Sequence, residues 1–325
     1  MSDARDGHTA SILSNGKVLV TGGYGYNGRL TSAELYDLST NTWTTTGSIN
    51  DPRDSHTASV LLNGKVLIAA GTGSNSPLSS AELYDSSTGT WTITGSMTNG
   101  RYYHTASVLS NGKVLVTGGW NNIVLNSAEL YDPSTGIWIT TSNMNNSREY
   151  HTASVLTNGK VLITGGLNGV GGALNSAELY DPSTGTWTTT GNIINARGRH
   201  KASALSNGKV LITGGYNGNI ILNSAELYDP STSIWTTTSN MTNARQDHAA
   251  SVLSNGKVLV TGGLDNNNFI LNSAELYDPS TSTWTTIINM TNIRDLHTAS
   301  VLSNGLVLVT GGWNGTDALN SAELY

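Results

Sequence analysis

The order of apolar and polar residues along the chain repeats seven times. Each repeat contains a histidine followed by a short, partly apolar segment, and successive histidines lie 47–49 residues apart. In the third repeat the pattern runs from Arg101 to Thr141 and reads HTASVL, KVLVT, SAELYD and then the residues around Trp138. A period of this length predicts a repeat protein whose units pack on their neighbours. The seven histidines are His8, His56, His104, His151, His200, His248 and His297.

Each repeat is predicted to form four antiparallel strands. Asn111-Gly112 joins the first two, and Asn-Gly between apolar runs is a strong hairpin signal because both central residues of a type I′ turn need positive φ. Asp-Pro-Ser-Thr-Gly, a cluster of turn-forming residues, joins the third strand to the fourth. The second strand has Val114 and Val116 on one face and Leu115 on the other, so both faces need cover. Seven such sheets arranged radially supply that cover, which predicts an all-β, seven-bladed β-propeller.

The residues that recur in every repeat, which we call the framework, resemble kelch repeats. The resemblance rests on Arg-x-x-His, on the Gly-Gly pair after the second strand, and on Tyr-Asp with a Trp about seven residues beyond. It covers residues 1–325 as a single domain, with Ala70-Gly71 replacing Gly-Gly in the second repeat. The repeats begin near Arg5, Arg53, Arg101, Arg148, Arg197, Arg245 and Arg294.

The seventh repeat stops at Tyr325, before a fourth strand. We therefore expect the last of the four-stranded antiparallel kelch blades to lack its outer strand. Kelch propellers are usually closed by a blade with strands from both termini. The resemblance thus implies either a fragment of a longer chain or a ring closed by side-chain packing between the first and last blades.

Composition excludes several classes of protein. The chain has no cysteine, and therefore no disulfide, no thiolate metal ligand and no cysteine nucleophile. Copper-radical oxidases of the galactose oxidase type have kelch-like repeats but need a Cys crosslinked to a Tyr, so that activity is excluded. No apolar run approaches the roughly 18 residues of a membrane helix. A net charge of -6 disfavours nucleic-acid binding, since Lys and Arg provide affinity for phosphates.

Charged and aromatic residues outside the framework concentrate in two loops of each repeat. Alternating strand direction places the second-to-third and fourth-to-first loops on one side of the propeller, which we call the variable face because these loops differ between repeats. Framework charges cancel, so the net charge arises almost entirely in or beside these loops. Aromatic rings beside charged groups are typical of recognition surfaces. The aromatic residues outside the framework are Tyr24, Tyr26, Tyr102, Tyr103, Trp120, Tyr150, Tyr216, Phe269 and Trp313.

We therefore predict a ligand-binding surface on the variable face and assign no catalytic residue, metal or cofactor. The resemblance to kelch adaptors implies that the arginine opening each repeat contacts the ligand; the alternative is interblade pairing with a framework glutamate. The candidates are Arg53, Arg101, Tyr102, Tyr103, Trp120, Arg148, Glu149, Tyr150, Arg197, Arg199, Tyr216, Arg245, Asp247, Arg294 and Trp313. One aromatic patch is expected from Tyr102, Tyr103, Trp120 and Tyr150, bordered by Arg101, Arg148 and Glu149.

The recurring histidines are interpreted as packing residues. Seven equivalent imidazoles around an axis cannot converge on one metal ion, which takes four to six ligands. A copy in every repeat instead indicates a role that every blade interface needs.

Two functions follow from this pattern. The first is a binding module that recognises a protein, a peptide or a glycan, as a monomer or as part of a larger chain. The second is a carbohydrate-active enzyme, such as a mutarotase or lyase, that uses Arg, Tyr and Glu149 or Asp247 on the same face; no single loop stands out as a catalytic insertion. Sequons at Asn145, Asn240, Asn289 and Asn314 are compatible with an extracellular setting, although Asn- and Thr-rich repeats generate such triplets by chance.

Overall fold

The computed structural model describes residues 1–169 and 172–325, which form seven antiparallel sheets around a central axis. The described residues include no helix, and thus none that could cross a membrane. The first strands of neighbouring blades contact one another around the axis, and the other strands follow outward in chain order. The predicted all-β propeller is confirmed, including a last blade of three strands.

The strands lie where the repeated pattern places them. Blades 1 to 3 consist of Thr9–Ile12, Val18–Thr21, Ala33–Asp37 and Thr42–Thr45; Thr57–Val60, Val66–Ala69, Ala81–Asp85 and Thr90–Ile93; and Thr105–Val108, Val114–Thr117, Ala128–Asp132 and Ile137–Thr140. Blades 4 to 6 consist of Thr152–Val155, Val161–Thr164, Ala177–Asp181 and Thr186–Thr189; Lys201–Ala204, Val210–Thr213, Ala225–Asp229 and Ile234–Thr237; and Ala249–Val252, Val258–Thr261, Ala274–Asp278 and Thr283–Ile287. Blade 7 consists of Thr298–Val301, Val307–Thr310 and Ala322–Leu324, and a small hairpin on the variable face pairs Tyr24–Gly25 with Gly28–Arg29.

The second strand of each blade is buried on both faces, as its unbroken apolar sequence requires. In blade 3, Val114, Leu115 and Val116 are all inaccessible to solvent. The third and fourth strands add a framework Tyr and Trp, which in this blade are Tyr131 and Trp138 with ring centroids 5.0 Å apart. The Trp138 indole N–H donates to a backbone carbonyl of blade 2, so these rings join neighbouring blades as well as neighbouring strands.

The hairpin between the first two strands forms as predicted, but its turn type differs. In blade 3 the Gly112 N–H donates to the Leu109 carbonyl at 2.9 Å, and the Leu109 N–H donates to the Lys113 carbonyl at 2.8 Å. Gly112 has a φ of 81°, whereas Asn111 does not have a positive φ. The predicted type I′ turn is therefore wrong. The longer loop takes a tight turn followed by a left-handed glycine, in which Asn111 accepts a hydrogen bond from the Lys113 N–H.

The first and last blades meet directly. Val18 and Val20 of blade 1 pack in one apolar cluster with Leu302 and Leu308 of blade 7. The N-terminal segment adds backbone hydrogen bonds, since Arg5 donates to a carbonyl of blade 7 at 3.0 Å and accepts from another of its N–H groups at 2.9 Å. In this chain the ring is thus closed by side-chain packing and by the segment before the first strand.

Candidate ligand-binding face

The framework arginines lie inside the blades rather than on the variable face. All seven side chains are fully buried, and each pairs with a framework glutamate at 2.5–3.2 Å. In blade 4, Arg148 donates to the Gly165 carbonyl at 2.6 Å, to Ser176 and to Glu178 at 2.7 Å. The alternative to ligand contact named a framework glutamate as the partner, and each arginine does pair with one. Its interblade placement is wrong, however, because Arg148 and Glu178 belong to the same repeat.

Glu178 also accepts hydrogen bonds from the backbone N–H groups of Asn145 and Asn146, which lie in the loop leading into blade 4. Each arginine–glutamate pair therefore holds the fourth-to-first loop and the end of the second strand in place. Arg53, Arg101, Arg148, Arg197, Arg245 and Arg294 present no guanidinium to solvent. These arginines hold the variable loops in place from inside the blades.

The histidines connect neighbouring blades. The His151 Nε2 lies 3.0 Å from the Thr105 hydroxyl and 3.0 Å from the Thr117 hydroxyl, both of which belong to the preceding blade. Burial, with smaller repulsion from neighbouring arginines, lowers the pKa of His8 to about 3. The rings are therefore neutral near pH 7 and serve the packing role that their repetition indicates.

The residues that precede the seven histidines form an inner rim on the variable face. Every one of them has a left-handed backbone, with φ between 51° and 57°. Six hydrogen bonds of 2.9–3.3 Å link the N–H of one rim residue to the carbonyl of the rim residue in the preceding blade. A left-handed φ costs roughly 1–2 kcal/mol for residues other than glycine, so these hydrogen bonds hold a strained ring of backbone around the axis. The rim residues are Gly7, Ser55, Tyr103, Tyr150, Arg199, Asp247 and Leu296.

Four aromatic rings and one guanidinium form a continuous row of contacts on this face, which we call the aromatic ladder. Its members in order are Trp120, Tyr102, Tyr103, Tyr150 and Arg199. Tyr103 and Tyr150 are stacked, whereas Tyr102 meets Tyr103 edge-on and Trp120 at a tilt. Consecutive ring centroids lie 5.3, 4.6 and 3.8 Å apart, and the Arg199 guanidinium lies 3.9 Å from the Tyr150 centroid. The structure thus brings together the four aromatic residues that the sequence groups.

The border of this patch differs from the expected one. Arg101 and Arg148 are buried beneath it, so Arg199 ends the ladder instead and pairs with Asp247 at 2.9 Å. Glu149 does lie on the variable face, paired through its backbone with Leu167, and partial burial raises the pKa of its carboxyl group.

The remaining candidates lie on the variable face but outside the ladder. Tyr216 pairs with Gly198 through the backbone, and its hydroxyl donates to the Gly218 carbonyl at 2.7 Å. Trp313 pairs in the same way with Asp295 of blade 7. Both rings are half-buried, and among the described residues neither makes a ring–ring contact with the ladder, so they border the face without joining it.

Two cavities adjoin the ladder. A groove of about 270 Å³ lies beside Tyr102 and Trp120 and is closed on the other side by Arg29 and the loop 72–77. A cavity of about 380 Å³ lies within the central lumen, below Tyr103, Tyr150 and Arg199. The ladder therefore separates a peripheral groove from the axial lumen.

The structure adds residues that the sequence did not single out. Arg29 lies over the Tyr24 ring and pairs with Asp54 at 3.2 Å, so it contributes to the groove. Asp295 is 8% exposed, and burial, followed by repulsion from Asp247 and Asp6, raises its pKa to about 7. These are loop residues whose neighbours come from other blades, and one repeat read alone does not reveal them. Lys201 was detectable, because it replaces a framework threonine.

Comparisons with known proteins agree with this architecture. No curated protein sequence matches the chain significantly. A solved fungal alcohol oxidase described as catalytically diverse within the AA5 family, in complex with copper, superposes with a TM-score of 0.81 over 99% of this chain and 74% of the oxidase. Its identity is 18%, so that likeness concerns the fold alone. The family model for the KLHDC2/KLHL20/DRC7 kelch-repeats domain matches residues 1–147, 93–244 and 140–312. The chain therefore belongs to the kelch-repeat family, and a kelch propeller suggests a binding or interaction module.

Proposed function

We propose that this propeller binds a peptide or glycan through its variable face, with the aromatic ladder at the centre of the contact. The observation that carries the proposal is the unbroken row of ring contacts from Trp120 to Arg199. It draws side chains from blades 3, 4 and 5. The five side chains remain partly exposed, unlike the framework tyrosines of the same blades, Tyr131, Tyr180 and Tyr228, which are fully buried.

The ladder is suited to binding because its members already restrain one another. A ring held by its neighbours loses little rotamer freedom when a ligand covers it, and aromatic groups bury a large area for each side chain fixed. Tyr102 and Trp120 face the groove beside Arg29, while Tyr103 and Tyr150 face the lumen. A sugar ring or a peptide side chain lying across the ladder would therefore contact aromatic surface with a charged group at either end.

A glycan array and a peptide array provide the first test, followed by two substitutions on any ligand found. Tyr103→Ala and Trp120→Ala should each weaken binding by about 1–3 kcal/mol, because each removes a ring from the contact. Tyr26→Ala is a matched control, since this ring is on the same face but is exposed and outside the ladder. Substitutions of Asn111 or Asp132, which lie in turns on the opposite face, should leave affinity unchanged.

Melting temperatures of the same variants separate binding from folding. If Tyr103→Ala and Trp120→Ala unfold the protein, the rings are packing residues and the proposal fails. If the opposite-face substitutions abolish binding while the ladder substitutions do not, the ligand binds the other side of the propeller.

The enzymatic alternative would rely on Glu149 or Asp247 together with arginine. Asp247 is held in its pair with Arg199, and the framework arginines are buried and paired. Turnover of members of the same glycan panel would favour the enzyme, whereas retention of unchanged glycans would favour the binding module.

A further inference from the structure

Lys201 differs from every other lysine of the chain. The other six each form an ion pair with a framework aspartate, at 2.9–3.2 Å, on the face opposite the variable one. Among the described residues, no carboxylate lies within ion-pair distance of Lys201. The six paired lysines are Lys17, Lys65, Lys113, Lys160, Lys209 and Lys257.

Lys201 lies in the central lumen because of its position in the repeat. It opens the first strand of blade 5, directly after His200, at the position that threonine occupies in five other repeats. Those threonines line the lumen and bond the histidine of the next blade. Lys201 has no such role, and His248 of the next blade bonds only to Thr213 of the second strand. The longer side chain is exposed to the lumen although protein surrounds it.

Few charged groups lie near the Lys201 amine in the lumen. Besides the Arg199–Asp247 ion pair, the titratable groups around Lys201 include framework histidines, whose pKa values burial lowers so far that they are neutral near pH 7. These histidines are His8, His104, His151, His200, His248 and His297. Desolvation lowers the pKa of Lys201, and Asp247, which is engaged by Arg199, opposes this only in part. Without a counterion the ammonium form is stabilised less here than at the six paired lysines, so Lys201 holds a larger fraction of neutral, nucleophilic amine than they do.

The lumen has room for a small molecule beside Lys201. Cavities of about 380 Å³ and about 310 Å³ lie on its two sides, and Lys201 lines both. These volumes fall within the roughly 300–1,000 Å³ of small-molecule sites. At the rim, Gly7 and Ser55 place little or no side chain over the opening, whereas Tyr103, Tyr150 and Arg199 cover the other side.

We propose that Lys201 is a carbonyl-capturing amine that binds small aldehydes in the lumen as imines. The neutral amine attacks the carbonyl carbon, a C–N bond forms, and the carbonyl oxygen becomes the hydroxyl of a carbinolamine as the nitrogen proton passes to oxygen. Loss of that hydroxyl with the second nitrogen proton releases one water and leaves a C=N bond. No oxidant or reductant is required. The product is an uncharged imine in a site that penalises the ammonium. This chemistry is independent of ligand binding to the aromatic ladder.

Reductive trapping tests the proposal with the protein's other lysines as internal standards. The intact chain is treated with glycolaldehyde and cyanoborohydride at pH 7, at less than one label per molecule, and the labelled sites are quantified by mass spectrometry of chymotryptic peptides. Lys201 should be labelled at least about tenfold more than the mean of the six paired lysines, since both a lowered pKa and the absence of a carboxylate partner favour the neutral amine.

Two variants and one larger reagent complete the design. Lys201→Thr installs the residue of five other repeats and should abolish the preferred label while the fold is retained, as judged by the melting temperature. Lys160→Thr removes an exposed, paired lysine and should leave the labelling of Lys201 unchanged. An aldehyde attached to a dextran too large for the lumen should show no preference for Lys201. Even labelling of all seven lysines, labelling of Lys201 below the others, or equal labelling of Lys201 by the dextran aldehyde would overturn the proposal.

Discussion

The buried arginine–glutamate pairs provide a direct test of whether the framework arginines are structural residues or ligand contacts. Arg148→Met removes the guanidinium but keeps a side chain of similar length. It leaves the Glu178 carboxylate, which is fully buried, without its cation, and it leaves the Gly165 and Ser176 carbonyls without their donor. Breaking a buried pair by removing one partner typically costs about 3–5 kcal/mol, so we expect a loss of that size in the free energy of unfolding.

A matched control is available in the same repeat. Lys160 pairs with Asp181 at 3.1 Å, but both side chains are substantially exposed. Lys160→Met should therefore cost about 0–1 kcal/mol. Guanidinium chloride titrations followed by tryptophan fluorescence would compare the two variants, and the shift of the midpoint at unchanged slope reports the difference.

The contrast between the two variants distinguishes a structural role from a ligand contact. If Arg148→Met unfolds at the wild-type midpoint, the pair is not holding the loops and the structural role is refuted. If Arg148→Met keeps the wild-type midpoint but loses affinity for a ligand of the variable face, the arginine is a ligand contact, as the resemblance to kelch adaptors implied.

Three further predictions concern charge, strain and the open blade. Asp295 has a folded pKa of about 7 against an ordinary value of 3.8, so its stabilising contribution is complete below pH 3.8 and is lost as the pH rises through 7. Relative to wild type, Asp295→Asn should therefore gain stability with rising pH, by at most about 4 kcal/mol between pH 4 and 8 in denaturant titrations; a constant difference would contradict this. Leu296→Gly should raise stability by about 0.5–1 kcal/mol in the same titrations, because it relieves a φ of 51° at an exposed side chain, and Leu296→Ala should give no such gain. Amides of Ala322–Leu324 should exchange hydrogen faster than those of Ala274–Asp278, which have a fourth strand beside them; equal protection would show that the edge is covered.

The sequence was sufficient for features that depend on local pattern and on repetition. Strand positions and the three-stranded last blade follow from apolar segments and turn residues. The grouping of Tyr102, Tyr103, Trp120 and Tyr150 follows from knowing which loops share a face. These inferences hold because each relies on the repeat period or on the alternating direction of the strands, and both can be recognised in the amino-acid sequence.

Features that depend on exact backbone geometry were not predictable in this way. An Asn-Gly pair indicates a hairpin, but loop length decides its turn, so Asn111 does not adopt the positive φ expected of it. The burial of Arg148 depends on a glutamate 30 residues away and on carbonyls at the end of another strand. Equal numbers of framework arginines and glutamates are consistent with pairing, yet they do not tell whether the pair lies within a blade or between blades.

The hydrogen bonds of the inner rim use backbone atoms alone, so the side chains at the rim can change without breaking them. Six of the seven links between neighbouring rim residues are backbone hydrogen bonds, whether the residue is Gly7, Tyr150 or Leu296. The left-handed strain is similar at each position other than glycine, so exchanging one such residue for another changes the lining of the opening while the scaffold stays constant. Among these seven sites around one axis, Gly7, Ser55 and Leu296 can be exchanged one at a time, whereas the four neighbours from Tyr103 to Asp247 contact one another in turn and have to be varied together. A panel of propellers with randomised rim residues could therefore be selected for new specificities with no redesign of the blades.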